Sequence, residues 1–115
     1  MSPIDTLNKY SEDMVKAGES LINTNAELAK SESVFTVLKA KMLSMDRVVH
    51  LSNQVMRDAE VSLMLETDDR FNKQYRKYLS MKLQNREDYI RWDLSKELCK
   101  NQRAVVQSLS FKGGE

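Results

Sequence analysis

The fold is decided by residues 7–49, LNKYSEDMVKAGESLINTNAELAKSESVFTVLKAKMLSMDRVV. Leu7, Met14, Leu21, Leu28, Phe35, Met42 and Val49 stand seven residues apart, and all are apolar. A seven-residue repeat brings one row of side chains round to the same helix face and marks a coiled-coil seam. The companion row, three residues on, is Tyr10, Ala17, Thr24, Ser31, Leu38 and Met45, apolar at its ends and small or polar in the middle. The repeat predicts one long helix from about Asp5 to about Val49. Its weak centre at Gly18, Thr24 and Ser31 calls for close helix approach, a bend or partial exposure.

A second long helix is expected from about Asp69 to about Ser110. Thr67-Asp68-Asp69 supplies an N-cap and places acidic charge at the positive end of the helix dipole. This helix carries two apolar rows: Leu79, Leu83, Ile90, Leu94, Leu98, Val105 and Leu109, and Phe71, Tyr78, Trp92, Cys99 and Val106. Two rows exceed what one partner helix covers, so part of this surface is expected to meet further chains. Leu94 and Leu98 join Leu7, Met14, Leu21, Leu28, Phe35 and Met42 as expected seam or oligomer positions. Residues 50–67 form a connector, with Asp58 as the candidate cap of a short helix carrying Ala59, Val61, Leu63, Met64 and Leu65. The tail 111–115 is expected to fray. The fold class is therefore all-α: one domain over residues 1–115, a long helical hairpin with a short connecting helix, and a homo-oligomer.

The rest of the composition agrees. Glycine occurs three times and proline once, and only Gly18 lies away from the chain ends. With so few helix breakers and no alternating β-branched runs, a sheet is excluded. No apolar stretch reaches the roughly 20 residues of a membrane span. The N-terminal MSPIDTLNKYSED lacks the basic and apolar regions of a secretory signal. Cys99 is the single cysteine, which forbids an intrachain disulfide and fits a reducing cytoplasm. It reads as a small apolar residue on a helix face.

Enzymatic chemistry finds no support. His50 is the single histidine, with no metal-ligand spacing around it. No phosphate-binding glycine loop and no nucleophile–histidine–acid set is present. Glu87-Asp88 and Asp68-Asp69 are sequence neighbours, which diverge by about 100° on a helix; they read as a solvated face and a helix start. No cofactor or metal is expected.

Charge is the more informative signal. The net charge is +1, yet residues 1–66 carry seven Lys/Arg against ten Asp/Glu, and residues 67–115 eleven against seven. Between positions 70 and 86 lie Arg70, Lys73, Arg76, Lys77, Lys82 and Arg86 with no acidic residue. Phe71, Tyr75 and Tyr78 are interleaved with them, and Tyr89 and Trp92 follow. Cations that neutralise phosphates beside aromatic faces that stack on bases are the elements of single-strand binding. Lys73, Arg76, Lys77, Lys82 and Arg86 are the candidate phosphate contacts, with Tyr75 and Tyr78 as candidate stacking positions. The competing reading pairs these cations with the acidic first helix and buries the aromatics.

Leu38-Lys39-Ala40-Lys41-Met42-Leu43 resembles a short motif late in the first helix of the UvsY-type phage recombination mediators, Leu-Lys-Ala-Arg-Leu followed by aromatics. Ser44-Met45 stand where that family has the aromatics. The acidic turn Leu65–Asp69 and the stretch from Leu94 to Arg103 are similar as well, so the resemblance spans about residues 20–109. It implies a small helical oligomer that binds single-stranded DNA and helps load a recombinase onto DNA covered by a single-strand binding protein. It adds Lys39 and Lys41 to the DNA-binding candidates and implies the cytoplasm of an infected bacterium. The alternative is a non-enzymatic coiled-coil module for protein–protein interaction or scaffolding in a phage.

Overall fold

The structure, a computed structural model, describes residues 2–113. It contains α1 (Pro3–Leu43), α2 (Asp46–Val49), α3 (Gln54–Thr67) and α4 (Asp69–Gly113), with no strand among the described residues. The chain divides into two compact units. The terminal unit joins Met1–Asn25 to Gln84–Glu115, and the connector unit is Ala26–Leu83. In each, a segment of α1 lies antiparallel to a segment of α4.

α1 begins two residues earlier than the heptads suggest because Ser2 caps it. The Ser2 hydroxyl accepts the Asp5 amide at 3.1 Å, and the Asp5 carboxylate accepts the Ser2 amide at 3.4 Å. This reciprocal capping box leads into Pro3, whose fixed φ suits the first helical position.

α1 also ends earlier than expected, at Leu43 instead of Val49. The Ser44 hydroxyl donates to the Lys41 carbonyl at 2.8 Å, and Met45 turns to extended backbone (φ −70°, ψ 143°). A single turn, α2, follows. A continuous helix would keep Met42 and Val48 on different sides, six residues apart; the break turns both inward. In the connector unit Met42, Val48, Val61, Met64 and Leu65 form the buried cluster, with Phe35, Leu38, Leu43, Met45, Phe71 and Tyr75 packed against it. Val49, the last heptad position, is 49% exposed and takes no part.

Asn53, not Asp58, caps α3: its side chain accepts the Met56 amide at 2.9 Å. Asp58 lies inside the helix and accepts from Gln54. Asp68 caps α4, accepting the Arg70 amide at 2.9 Å. The Asn72 amide donates to the Leu65 and Glu66 carbonyls at the end of α3, so α3 and α4 share their terminal hydrogen bonds. α4 continues to Gly113, past the expected end at Ser110; of the expected frayed tail, Gly114 and Glu115 lie outside the described residues.

In the terminal unit the weak centre of the seam is a close approach followed by polar contacts. A Cβ on Gly18 would sit 3.4 Å from the Trp92 ring. The Asn85 amide donates to Thr24 Oγ1 at 3.2 Å and to Asn25 Oδ1 at 2.6 Å. Ala17 and Cys99 are buried, and the Cys99 sulfur lies 3.4 Å from the Ser11 hydroxyl. Asp88, read from sequence as part of a solvated face, is only 3% exposed. Gln84 and Arg91, one helical turn away on either side, donate to it and satisfy its charge.

Leu7, Met14, Leu21, Leu28 and Phe35 are half-buried along α1, and Met42 is fully buried. On α4 the residues turned toward α1 are Phe71, Tyr78, Asn85, Trp92, Cys99 and Val106, again seven apart and half-buried or buried. Leu94 and Leu98 lie outside this intrachain seam, because a helix turns only one face toward one neighbour.

Met42→Ala is expected to lower the unfolding free energy by about 2–5 kcal/mol, as for a fully buried side chain leaving a cavity. Gly18→Ala fits at ordinary contact distance and is expected to raise stability by about 0.5–1 kcal/mol through helix propensity. Gly18→Leu has no room beside Trp92 and lowers it. Urea denaturation followed by circular dichroism measures all three.

Candidate nucleic-acid interface

The basic candidates divide between the units. Lys39, Lys41, Lys73, Arg76, Lys77 and Lys82 belong to the connector unit, and Arg86 to the terminal unit. None of the seven forms an ion pair with a carboxylate among the described residues. The pairing with the acidic first helix that the charge pattern allowed is not made there. Arg70, by contrast, is held by Asp68 at 2.7 Å and lies over the Phe71 ring.

The connector-unit cations occupy two sides. At 3.6 residues per turn, Lys39 and Lys41 point about 200° apart on α1. Lys73, Arg76 and Lys77, at spacings of three and four, share one side of α4, and Lys82 points about 180° from Lys73. Lys39 lies over the Phe35 ring at 5.9 Å, and Lys82 over the Tyr78 ring at 5.3 Å. Lys41 instead lines an apolar groove of about 370 Å³ with Ser33, Val34, Val37, Leu38 and Gln74. A second hollow sharing Val34 and Gln74 is lined by Glu27, Lys30, Ser31 and Lys77. One side of the unit thus combines Lys41 and Lys77 with exposed Val34 and Val37.

Tyr75 and Tyr78 are engaged within the fold. Phe35 stacks on Tyr78 (4.6 Å between centroids, 10° between planes) and on Tyr75 (5.8 Å, 26°). Both tyrosines are half-buried, and Tyr75 also packs on the buried cluster. The spacing of Phe35 within the heptad row was the sequence signal for this: it places an aromatic on the seam opposite two others. The groove had no such signal, since Gln74 and Val34 come together only when α1 and α4 pair.

His50 is exposed and lies 3.9 Å from Asp46. No cluster of three or more metal-ligating side chains, and no helix long and apolar enough to cross a membrane, occurs among the described residues. Compared with protein-family models, curated proteins and solved structures, the chain matches none.

The Asp68–Arg70 pair makes the start of α4 sensitive to acid. Side-chain and backbone hydrogen bonds from Arg70 lower the Asp68 pKa from 3.8 to about 2. A carboxylate held lower in the folded chain than in the unfolded one stabilises the fold above the unfolded value. That contribution is expected to be full above pH 4 and to disappear as the pH falls through 2. Thermal melts at pH 5, 4, 3 and 2 should show a steeper loss for the wild type than for Asp68→Asn, which has no carboxylate to protonate.

Proposed function

We propose that this protein binds single-stranded DNA as an oligomer and assists the loading of a recombinase. The observation that carries the reading is the set of cations without carboxylate partners, among the described residues, on two sides of the connector unit. Lys41 lines the groove with exposed Val34 and Val37, and Lys77 lines the adjoining hollow with Val34. Lysine ammonium groups neutralise phosphates, and the apolar floor offers unstacked bases a surface out of water. Tyr75 and Tyr78 are assigned no stacking role, since their rings meet Phe35. Several weak sites joined in one assembly bind a strand far more tightly than one site alone. The loading role, the recombinase and single-strand binding protein as partners, and the cytoplasm of an infected bacterium rest on the resemblance of residues 38–43 to the mediator motif.

The second reading, a protein-interaction or scaffold module of a phage, is favoured by the exposed apolar row of α4. It needs no DNA contact, so one titration separates the two. Fluorescence anisotropy of a labelled single-stranded oligonucleotide should show affinity falling with salt, with a log–log slope of about −0.7 for each phosphate neutralised. Alanine at Lys39, Lys41, Lys77 and Lys82 together should abolish binding while helicity and mass stay unchanged. Lys41→Ala with Lys77→Ala should weaken it more than Lys39→Ala with Lys82→Ala, whose ammonium groups already lie over rings. Binding that ignores salt, or that survives the fourfold variant, contradicts the DNA reading and leaves the scaffold.

A further inference from the structure

The terminal unit leaves one row of α4 without a neighbour. Ile90, Leu94, Leu98, Val105 and Leu109 are 56%, 58%, 39%, 45% and 49% exposed. With Asn101 they occupy positions 90, 94, 98, 101, 105 and 109, all within an arc of about 100°. The steps are four, four, three, four and four, which read the same in either direction. Positions 90 and 101, 94 and 105, and 98 and 109 are each eleven apart, a repeat that keeps the row nearly straight along the helix.

We propose that residues 90–109 of α4 pair with the same residues of a second copy in an antiparallel, two-fold interface. Reversal about the midpoint of the row brings Ile90 opposite Leu109, Leu94 opposite Val105 and Leu98 opposite Asn101. The paired segment is about 30 Å long. A two-fold contact uses one surface twice, so a row that is its own reverse satisfies it without a second patch.

Charge selects the second copy and the direction. Glu97 and Lys100 flank the centre of the row, both are exposed, and neither has an ion-pair partner among the described residues. In the antiparallel arrangement Glu97 of each copy lies on the same flank as Lys100 of the other, about 3 Å away along the axis and within a lysine's reach, giving two equivalent ion pairs. A parallel arrangement puts the flank that carries Glu97 and Lys100 on opposite sides of the interface in the two copies, so neither pair is made. The inference deepens the oligomer named above and specifies its contact. The interface lies in the terminal unit, whereas Lys41 and Lys77 lie in the connector unit.

Sedimentation of the full chain without DNA tests it. The expected mass is two copies of the 13.3 kDa chain, or an even multiple. Leu94→Lys should halve that mass with the helical circular dichroism unchanged, because Leu94 touches solvent in the single chain. Glu97→Lys and Lys100→Glu should each weaken association roughly tenfold, about 1.4 kcal/mol. The double variant E97K/K100E should restore it, because each ion pair is re-formed in reverse. A single-copy or odd-numbered mass, association indifferent to Leu94→Lys, or a charge-swapped double variant weaker than either single one would overturn the interface. A single-copy mass would assign the row to a different protein. DNA binding measured on the same variants reports separately: loss of the interface with DNA still bound at the lysines leaves the single-strand reading standing.

Discussion

The packing of one seven-residue row of α1 against one seven-residue row of α4 is the contact from which the remaining surface follows. Once Phe71, Tyr78, Trp92, Cys99 and Val106 turn toward α1, the orientation of every other α4 side chain is set by helical geometry. Phe35 comes to lie against Tyr75 and Tyr78, and these aromatics become interior. The lysines between them are divided onto two sides, and the leucine-rich row points outward. Aromatic burial, divided basic charge and exposed apolar surface are three results of one rotational choice.

The two units meet the need for buried area differently. The connector unit adds α2 and α3 to the paired helices and closes a cluster around Met42, Val48, Val61, Met64 and Leu65. Its helix ends are tied by Asn53, Asp68 and Asn72, and Arg47 pairs with Glu60 across α2 and α3. The terminal unit has only paired helices, and its buried side chains among the described residues are Ala17, Cys99 and Asp88. It relies on close approach at Gly18 and Trp92 and on amide and hydroxyl pairs at Thr24, Asn25 and Asn85. Such a pair of helices has little interior for its length, and Ile90, Leu94, Leu98, Val105 and Leu109 remain outside.

Under the proposed function, the roles divide between the units as the chemistry does. Lys39, Lys41, Lys73, Lys77 and Lys82, without carboxylate partners among the described residues, lie on the unit that has its own core, where the proposed docking of a phosphate backbone leaves the packing intact. The unit that lacks such a core carries the exposed row Ile90, Leu94, Leu98, Val105 and Leu109. The proposed self-association and the proposed strand binding reinforce each other, because each copy added to an assembly would add another set of lysines to the same strand.

The sequence by itself determined the helical class, both long helices and the row that α1 turns inward, because a seven-residue spacing is a local property of the chain. It also determined that α4 has one apolar row too many. It did not reveal the break at Ser44. No glycine or proline marks it, and Ser44-Met45 leaves the helix because Met42 and Val48 are both drawn into a core that α3 completes. Which α4 row faces α1 was likewise hidden, since either row suits a helix partner and only the matching of side chains across the seam chooses. The acidic label of Asp88 suggested solvent, whereas burial beside Gln84 and Arg91 reflects where α1 lies. Local spacing fixes what a helix can bury; only the tertiary neighbours, by their size and position, decide which of its faces they cover.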